Sequence, residues 1–299
     1  MKASSGKLSV VIVAHNSSDV IRGCMSSLVG QDFDMTSCEI LVVDNHSTDE
    51  TIRVLQEEYP EFKLISSGLN QGFAVAANRG AREGSGEFLL FLNPDTIIEK
   101  NLLQTAFSIL DADPAVGIVG SRLVFPNGNE QASCWKAPSW KNLLAEAFLP
   151  HHLAERMVTL CPNKSMSVPA LSGACLFTRR DVFERVGGWD ERFFMYYEDL
   201  DYCRRVEAEG YRVMHLHEPA TVHAIASSSH KNLDFFFATL YRSRLFFYRK
   251  YLPMPSFVGS VIRVGLLLRI ASYSLLGPFL PRFSDLARAH RLALRSLQQ

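Results

Sequence analysis

The chain has no Cys-x-x-Cys pair; its six cysteines, Cys24, Cys38, Cys134, Cys161, Cys175 and Cys203, are scattered. That spacing argues against a zinc site or a redox pair. Several sit inside apolar patterns, where free cysteine acts as a small hydrophobe. Met1 to Lys7 lack the apolar core of a signal peptide, and with the cysteine usage this points to a reducing, cytoplasmic location. There is no internal repeat and no low-complexity segment, so a repeat architecture is not expected. The formal net charge is +0. Whole-chain electrostatics therefore single out no partner, and nucleic acid is not expected as one. No Gly-x-Gly-x-x-Gly follows the first apolar run, where Ala14-His15-Asn16-Ser17 stands instead. A nicotinamide oxidoreductase of Rossmann type is disfavoured on that ground.

What is present is apolar and unevenly charged. At 299 residues and 47% hydrophobic, the chain is long enough for one large domain or two small ones with a sizeable core. From His230 onward there are 11 Lys and Arg against 2 Asp and Glu, leaving 20 basic and 29 acidic residues before it. Such asymmetry suggests a surface or polyanion partner for the basic end.

Strand and helix patterns alternate in the first part. Leu8 to Ala14 reads as a buried strand. Ser17, Ser18 and Asp19 offer N-caps for a helix to about Val29. Glu39–Val43 and Phe62–Ile65 read as strands, with a helix opened by Ser47-Thr48-Asp49-Glu50 between them. Gly72 to Glu83 reads as a helix, followed by a strand to Leu92, a helix over Glu99–Leu110 and a strand over Val116–Val119. This alternation implies a mostly parallel sheet covered on both faces. Pro126-Asn127-Gly128-Asn129 is a turn signal for a hairpin after Leu123-Val124-Phe125. His151 to Met166 shows no clear period and reads as a loop over the site. Ala174–Thr178 and Tyr211–Leu216 read as strands, and Asp199–Glu209 as a helix.

Two apolar strands end abruptly in acids. Glu87-Phe88-Leu89-Leu90-Phe91-Leu92 runs into Asn93-Pro94-Asp95, and Ile40-Leu41-Val42-Val43 runs into Asp44-Asn45. Ligands of open α/β sheets bind at the carboxyl ends of strands. Two carboxylates delivered to one such edge suggest a site for a nucleotide and a divalent metal.

Five patterns stand in order: Ala14-His15-Asn16; Asp44 through Asp49; Asn70-Gln71-Gly72 through Gly80; Asn93-Pro94-Asp95; and Gly187-Gly188-Trp189 through Arg205, with Glu198-Asp199-Leu200-Asp201 inside it. The ordered set resembles the family-2 glycosyltransferases of the GT-A fold over about residues 8 to 230. The Asn-Pro-Asp form and the Tyr-x-Glu-Asp-x-Asp-x-Cys-x-Arg form look most like rhamnosyltransferases of bacterial surface polysaccharide synthesis. The resemblance implies an inverting transferase with a GT-A domain over 1–230 and a helical extension over 231–299. It implies Mg²⁺ or Mn²⁺ and a nucleotide-sugar donor, dTDP-rhamnose, with a saccharide or polyprenyl-diphosphate-linked acceptor. A UDP-sugar transferase for galactofuranose or another hexose stays open, as does a non-catalytic homologue that keeps the fold.

Roles follow residue by residue. A diphosphate leaving group needs a hard cation held by few carboxylates, and Asp95 is the natural ligand. The family usually has Asp-x-Asp here; Asn93 stands in the first place, so one carboxylate must serve, helped by Asn93 as a further member of the donor site. By resemblance His223 is a second metal or diphosphate ligand, rather than the nearby His215 or His217. Asp44 is implied to contact the nucleobase or ribose, although an Asx-turn is the plain alternative. Ala14, Asn16, Asn70, Gly72 and Asn78 complete the implied donor site, with His15 a weaker member; Asp49 reads as a helix cap. An acceptor hydroxyl needs a carboxylate to take its proton: Asp199 is the implied base, Glu198 tunes it, and Asp201 supports the helix start. Trp189 and Phe194 read equally as acceptor-pocket or core residues.

The tail from about Asn232 reads as all-helical, basic and aromatic. Phe257 to Leu280 is apolar but holds Arg263 and Arg269. An arginine at the centre of a spanning helix costs about 2.5–3.5 kcal/mol on the lenient scale, so lying in the interface with arginines reaching to headgroups is the better fit. An anionic membrane surface at the inner face of the cell membrane is the expected partner. Packing on the catalytic core, or on a second copy as a homodimer, is the alternative.

Overall fold

Strands β1 (Leu8–Ala14), β2 (Cys38–Asp44), β3 (Lys63–Ser66) and β4 (Phe88–Leu92) alternate with helices α1 (Ile21–Val29), α2 (Thr51–Glu58) and α3 (Phe73–Glu83). Then come β5 (Thr96–Ile98), α4 (Leu102–Ala112), β6 (Val116–Val124), β7 (Glu130–Gln131), β8 (Cys134–Trp135), α5 (Trp140–Phe148), α6 (His151–Val158) and β9 (Thr159–Leu160). The chain continues through β10 (Met166–Ser167), β11 (Ala170–Leu171), β12 (Cys175–Arg179), α7 (Arg180–Arg185), α8 (Glu198–Ala208) and β13 (Arg212–His223). It closes with α9 (Leu233–Tyr251), α10 (Pro255–Leu276) and α11 (Pro281–Ser296). This computed structural model describes residues 7–225, 232–277 and 280–297.

The described residues fall into two units. The first comprises those of Met1–Trp135, Leu160–Arg192 and Glu198–Ala226. Its sheet runs in the order β10-β13-β6-β12-β4-β1-β2-β3. β1 is parallel to β2 and β4, and β2 to β3, whereas β12 is antiparallel to β4 and β6. β2 and β3 lie on one side of β1 and β4 on the other, so the strand order reverses at β1. The loops leaving the carboxyl ends of β1 and β4 therefore diverge, which opens a crevice where ligands of such sheets bind.

Both faces of the sheet are buried, as a parallel sheet requires. Leu8, Val10, Ile12, Leu90 and Leu92 pack with Met25 and Leu28 of α1 and with Leu102 and Leu110 of α4. Val11, Leu41, Val43, Leu89 and Phe91 face the other way, onto Ala74, Ala77, Trp189 and Tyr202. Gly80 lets α3 lie close to the sheet, because a Cβ there would run into Val11 and Val43.

The second unit comprises the described residues of Lys136–Thr159, Phe193–Tyr197 and Ser227–Gln299. It holds α5, α6, α9, α10 and α11. At its centre Tyr197 Oη donates to Glu146 Oε1 at 2.7 Å and accepts from Arg244 Nε at 2.9 Å. The Arg244 guanidinium sits 3.4 Å from the same carboxylate.

Several expectations change. His151–Met166 is not one loop: it holds α6 and the short strands β9 and β10. α5, which has no counterpart in the sequence reading, is started by Ser139, whose hydroxyl accepts from Asn142 N at 3.2 Å. No side chain of Ser17, Ser18 or Asp19 caps α1; the Ser17 carbonyl accepts from Val20 N and Ile21 N. Arg269 does not reach outward as expected, and Arg263, though exposed, also meets a backbone carbonyl. Arg269 donates to the backbone carbonyls of Glu146 and Leu149 at the end of α5, and Arg263 to that of Leu297. Both close carbonyls that a helix end leaves unpaired.

Candidate active site

The loops at the sheet edge are tied to one another by asparagines. Asn16, at φ 51°, accepts on Oδ1 from Thr48 N at 2.8 Å, and its own N donates to Ser47 Oγ at 2.9 Å. The loop after β1 is thereby joined to the loop after β2. Ala14, fully buried, accepts on its carbonyl from Asn45 N at 2.8 Å. Asp44 is 1% exposed, and its carboxylate accepts from Ser47 N at 3.2 and 3.3 Å, the Asx-type turn. Asn45 Nδ2 donates to Asn70 Oδ1 at 2.9 Å and to the Gly72 carbonyl at 3.2 Å, and its Oδ1 accepts from Gln71 N at 3.1 Å. Asn45 thus organises the Asn70–Gly72 loop. The sequence reading passed over it because a strand-end asparagine reads as an ordinary turn residue. Gly72 has φ 85°, which favours glycine. Asp49 accepts from Ser18 N, Thr51 N and Thr51 Oγ1, so it ties the turn before α2 to the loop after β1, while Glu50 takes the cap position itself.

Asn78 departs from its expected role. Its Oδ1 accepts from Trp189 N at 2.9 Å, and its Nδ2 donates to the Trp189 carbonyl and to Glu191 Oε1, both at 2.9 Å. Both amide hydrogens are engaged, and the side chain clamps the Gly187-Gly188-Trp189 turn rather than facing a ligand. Trp189 itself is 1% exposed and packs edge-on against Phe91 and Phe73, which makes it core. Phe194 lies in the second unit, edge-on to Phe235.

A carboxylate and an imidazole meet just past β4. Asp95 Oδ1 lies 3.3 Å from His223 Nε2, with their side chains 9% and 15% exposed. Asn93 Nδ2 is 3.4 Å from the same nitrogen. Backbone pairing brings them together: β5 is antiparallel to β13 with Thr96 opposite His223, and Ala224 N donates to the Asp95 carbonyl. Among the described residues no group of three or more His, Cys, Asp or Glu could hold a metal. A cation held by Asp95 and His223 would take its other ligands from phosphate oxygens and water. His215, by contrast, is 1% exposed and remote from such use: burial pushes its pKa down to about 4.

The acidic pair opens α8. Asp199 Oδ2 accepts from Gly173 N at 3.1 Å and Oδ1 from Leu200 N at 2.9 Å. Burial raises the Asp199 pKa, and these two donors oppose the shift. Glu198 is 8% exposed, and its Oε2 has no hydrogen-bond partner. Burial first, then the charge of Asp199, lifts its pKa well above the ordinary value. The pair is thus graded, with Glu198 holding its proton more tightly than an ordinary glutamate beside a hydrogen-bonded Asp199. Asp201, fully buried, pairs with Arg205 Nε at 2.7 Å one turn on and steadies the helix start. Gly173 and Ala174 join this pair to the loop after β4. Gly173 N holds Asp199, and the carbonyl of the following residue, Ala174, accepts from Asn93 N at 2.9 Å.

The family model described as "Glycosyl transferase family 2" matches residues 9–187. The chain belongs to glycosyl transferase family 2. It is a glycosyltransferase. Among similar proteins, this family 2 enzyme is 30% identical over 208 residues to an N-acetylglucosaminyl-diphospho-decaprenol L-rhamnosyltransferase of Mycobacterium tuberculosis, covering 64% of this chain and 67% of the relative. It is 27% identical over 241 residues to the rhamnosyltransferase WbbL of Escherichia coli, covering 76% and 86%. In fold, the mannosyltransferase PcManGT of Pyrobaculum calidifontis, solved with GDP-Man and Mn²⁺, matches with TM-score 0.58 at 19% identity, over 97% of this chain and 86% of that one. S. aureus TarS 1-349 matches with TM-score 0.56 at 17% identity, over 97% and 90%. The GT-A expectation of a mixed, mostly parallel sheet with C-terminal helices holds. The matched span of the glycosyltransferase includes Asp44 and Asn93–Asp95 but ends before Glu198.

Proposed function

We propose that this glycosyltransferase moves rhamnose from dTDP-rhamnose to a lipid-linked saccharide, with inversion at the anomeric carbon. The observation that carries the catalytic reading is the Gly173-Ala174 dipeptide, which holds Asp199 through the Gly173 N–H and Asn93 N through the Ala174 carbonyl. A base and a metal end fixed to the same two residues suit an in-line displacement, in which the acceptor hydroxyl enters opposite the departing diphosphate. Asp199 keeps lone pairs on both oxygens beyond its two backbone bonds and accepts the hydroxyl proton. Glu198 tunes it. Asp95 and His223 would hold the cation, and imidazole suits Mn²⁺ better than Mg²⁺. When bound, the cation neutralises charge on the leaving nucleoside diphosphate. Asp44, Asn16, Ala14, Asn70 and Gly72 shape the nucleoside end.

Rhamnose is favoured because two of the similar proteins are named rhamnosyltransferases, one acting on a diphospho-decaprenol-linked sugar. Residues 1–230 are read as catalytic and 231–299 as the part that meets an anionic membrane at the cytoplasmic face or, failing that, a second copy. The test is transfer across a nucleotide-sugar panel with Mn²⁺, Mg²⁺ or chelator. Turnover with dTDP-rhamnose alone supports the reading. Turnover with a UDP-hexose instead assigns a different donor. Asp199→Asn should abolish transfer while nucleotide binding persists; unchanged transfer would remove Asp199 as the base.

A further inference from the structure

We infer that Gln131 is a positioning residue that fixes the tautomer of His223, leaving Nε2 bare and aimed at the cation position beside Asp95. This rests on the proposed metal role of Asp95 and His223. His223 Nδ1 lies 2.8 Å from Gln131 Oε1. A carbonyl oxygen has no hydrogen to give, so Nδ1 is the donor. The amide orientation is supported from its other end, where Gln131 Nε2 donates to the His223 carbonyl at 3.5 Å. A neutral imidazole carries one ring hydrogen. With it on Nδ1, the Nε2 lone pair faces Asp95 Oδ1 at 3.3 Å. A cation bound to both atoms would bridge that distance. Asn93 Nδ2, at 3.4 Å, is a weak donor to the same lone pair and yields to a stronger partner.

The backbone explains why Gln131 is there. Leu123 of β6 is paired with Gln131 of β7 and with Thr221 of β13, so the two strands flank β6 on opposite edges. The tight turn at 126–129, closed by Gly128 N to the Phe125 carbonyl and Phe125 N to the Asn129 carbonyl, returns the chain into β7. Gln131 is 8% exposed, so its amide has little water to bond to and is held to the histidine. Partners that fix the unliganded nitrogen of a metal-binding histidine raise its basicity, and their loss typically costs roughly 10–100-fold in metal affinity.

The test measures Mn²⁺ affinity by electron paramagnetic resonance in the presence of dTDP, and the His223 tautomer by ¹⁵N NMR of the imidazole. Gln131→Met keeps the side-chain volume and removes the acceptor. It should weaken Mn²⁺ binding by roughly 10–100-fold and move the hydrogen of His223 toward Nε2. Gln131→Glu keeps an acceptor for Nδ1 and should restore both readouts, which a merely structural role would not produce. Asp95→Ala and His223→Ala serve as references. If neither weakens Mn²⁺ binding, the metal site itself is wrong. If both do and Gln131→Met leaves affinity and tautomer unchanged, the inference about Gln131 is overturned.

Discussion

At the scale of single residues, the chemistry is set by which polar atoms are satisfied. Asp44, Asp95, Asp199 and Glu198 are recognisable as acids at strand or helix ends, so their presence was legible in the sequence. Their states were not, because these depend on which backbone amides point at them. Asp199 receives two such bonds, and Glu198 keeps one oxygen without a partner. Asn78 shows the opposite outcome: a motif position expected to meet donor has its amide filled by Trp189 and Glu191. Glu198 gives a signed pH prediction. Its folded pKa is raised, chiefly by burial. Between the ordinary glutamate value and that raised value the unfolded chain has released a proton that the folded chain keeps. Stability from this group is therefore full below the ordinary value and falls as pH rises through the folded one. Glu198→Gln removes that fall. Thermal melts of the two proteins should coincide at low pH, with the glutamine form increasingly the more stable as pH rises. A constant difference across the range would show that Glu198 is not buried as a strained carboxyl.

At the scale of elements, the parts that read correctly are the ones whose pattern is local. β4 is an unbroken apolar run, and β1 from Val10 and β2 from Ile40 to Val43 are apolar too, because both faces are covered; each ends where polar residues meet the crevice. α6 was missed because only Ala154 and Val158 of its eight residues are buried, too sparse a stripe to show a period. Arg269 was misread because sequence cannot tell an arginine aimed at solvent from one closing the carbonyls of another helix. The Gly187-Gly188-Trp189 turn tests how far one motif is structural. Gly188 has φ 71°, and a Cβ there would lie 2.6 Å from Asn78 Oδ1. A left-handed conformation costs an ordinary residue roughly 1–2 kcal/mol, before that clash is counted. Gly188→Ala should therefore lower stability by about 2 kcal/mol or more, seen as a shifted denaturant midpoint. Asn78→Ala leaves the Trp189 N–H and carbonyl buried without partners, at about 1–3 kcal/mol for each group. Its dTDP affinity at permissive temperature should be unchanged. A selective loss of nucleotide affinity in Asn78→Ala, with stability kept, would restore that residue to the donor site.

At the scale of the whole molecule, charge and exposed apolar area concentrate in the second unit. Phe257, Val264, Leu267, Leu268 and Leu275 of α10 are 60%, 48%, 53%, 55% and 75% exposed. They recur at roughly helical spacing, so they form a stripe rather than scattered sites. By length and composition α10 is long and apolar enough to cross a membrane. Its two arginines bond to backbone carbonyls within the unit, and the proposed membrane role puts the stripe in the interface. Arg249, Lys250, Arg282, Arg288, Arg291 and Arg295 are all exposed on this unit, and each basic residue near an anionic surface contributes about 1 kcal/mol. Cutting the chain near His230 is a poor test, because α5 and α6 belong to the same unit and would lose their packing partners. Leu267→Glu with Leu268→Glu in the full chain is cleaner, since both side chains are already in solvent. The parent should float with anionic vesicles at low salt and progressively less toward 1 M, where screening shortens to about 3 Å. The double substitution should abolish flotation while leaving the melting temperature and soluble-acceptor turnover unchanged. If instead the parent ignores vesicles and sediments as a dimer that the same substitutions split, the stripe belongs to a second copy of the chain.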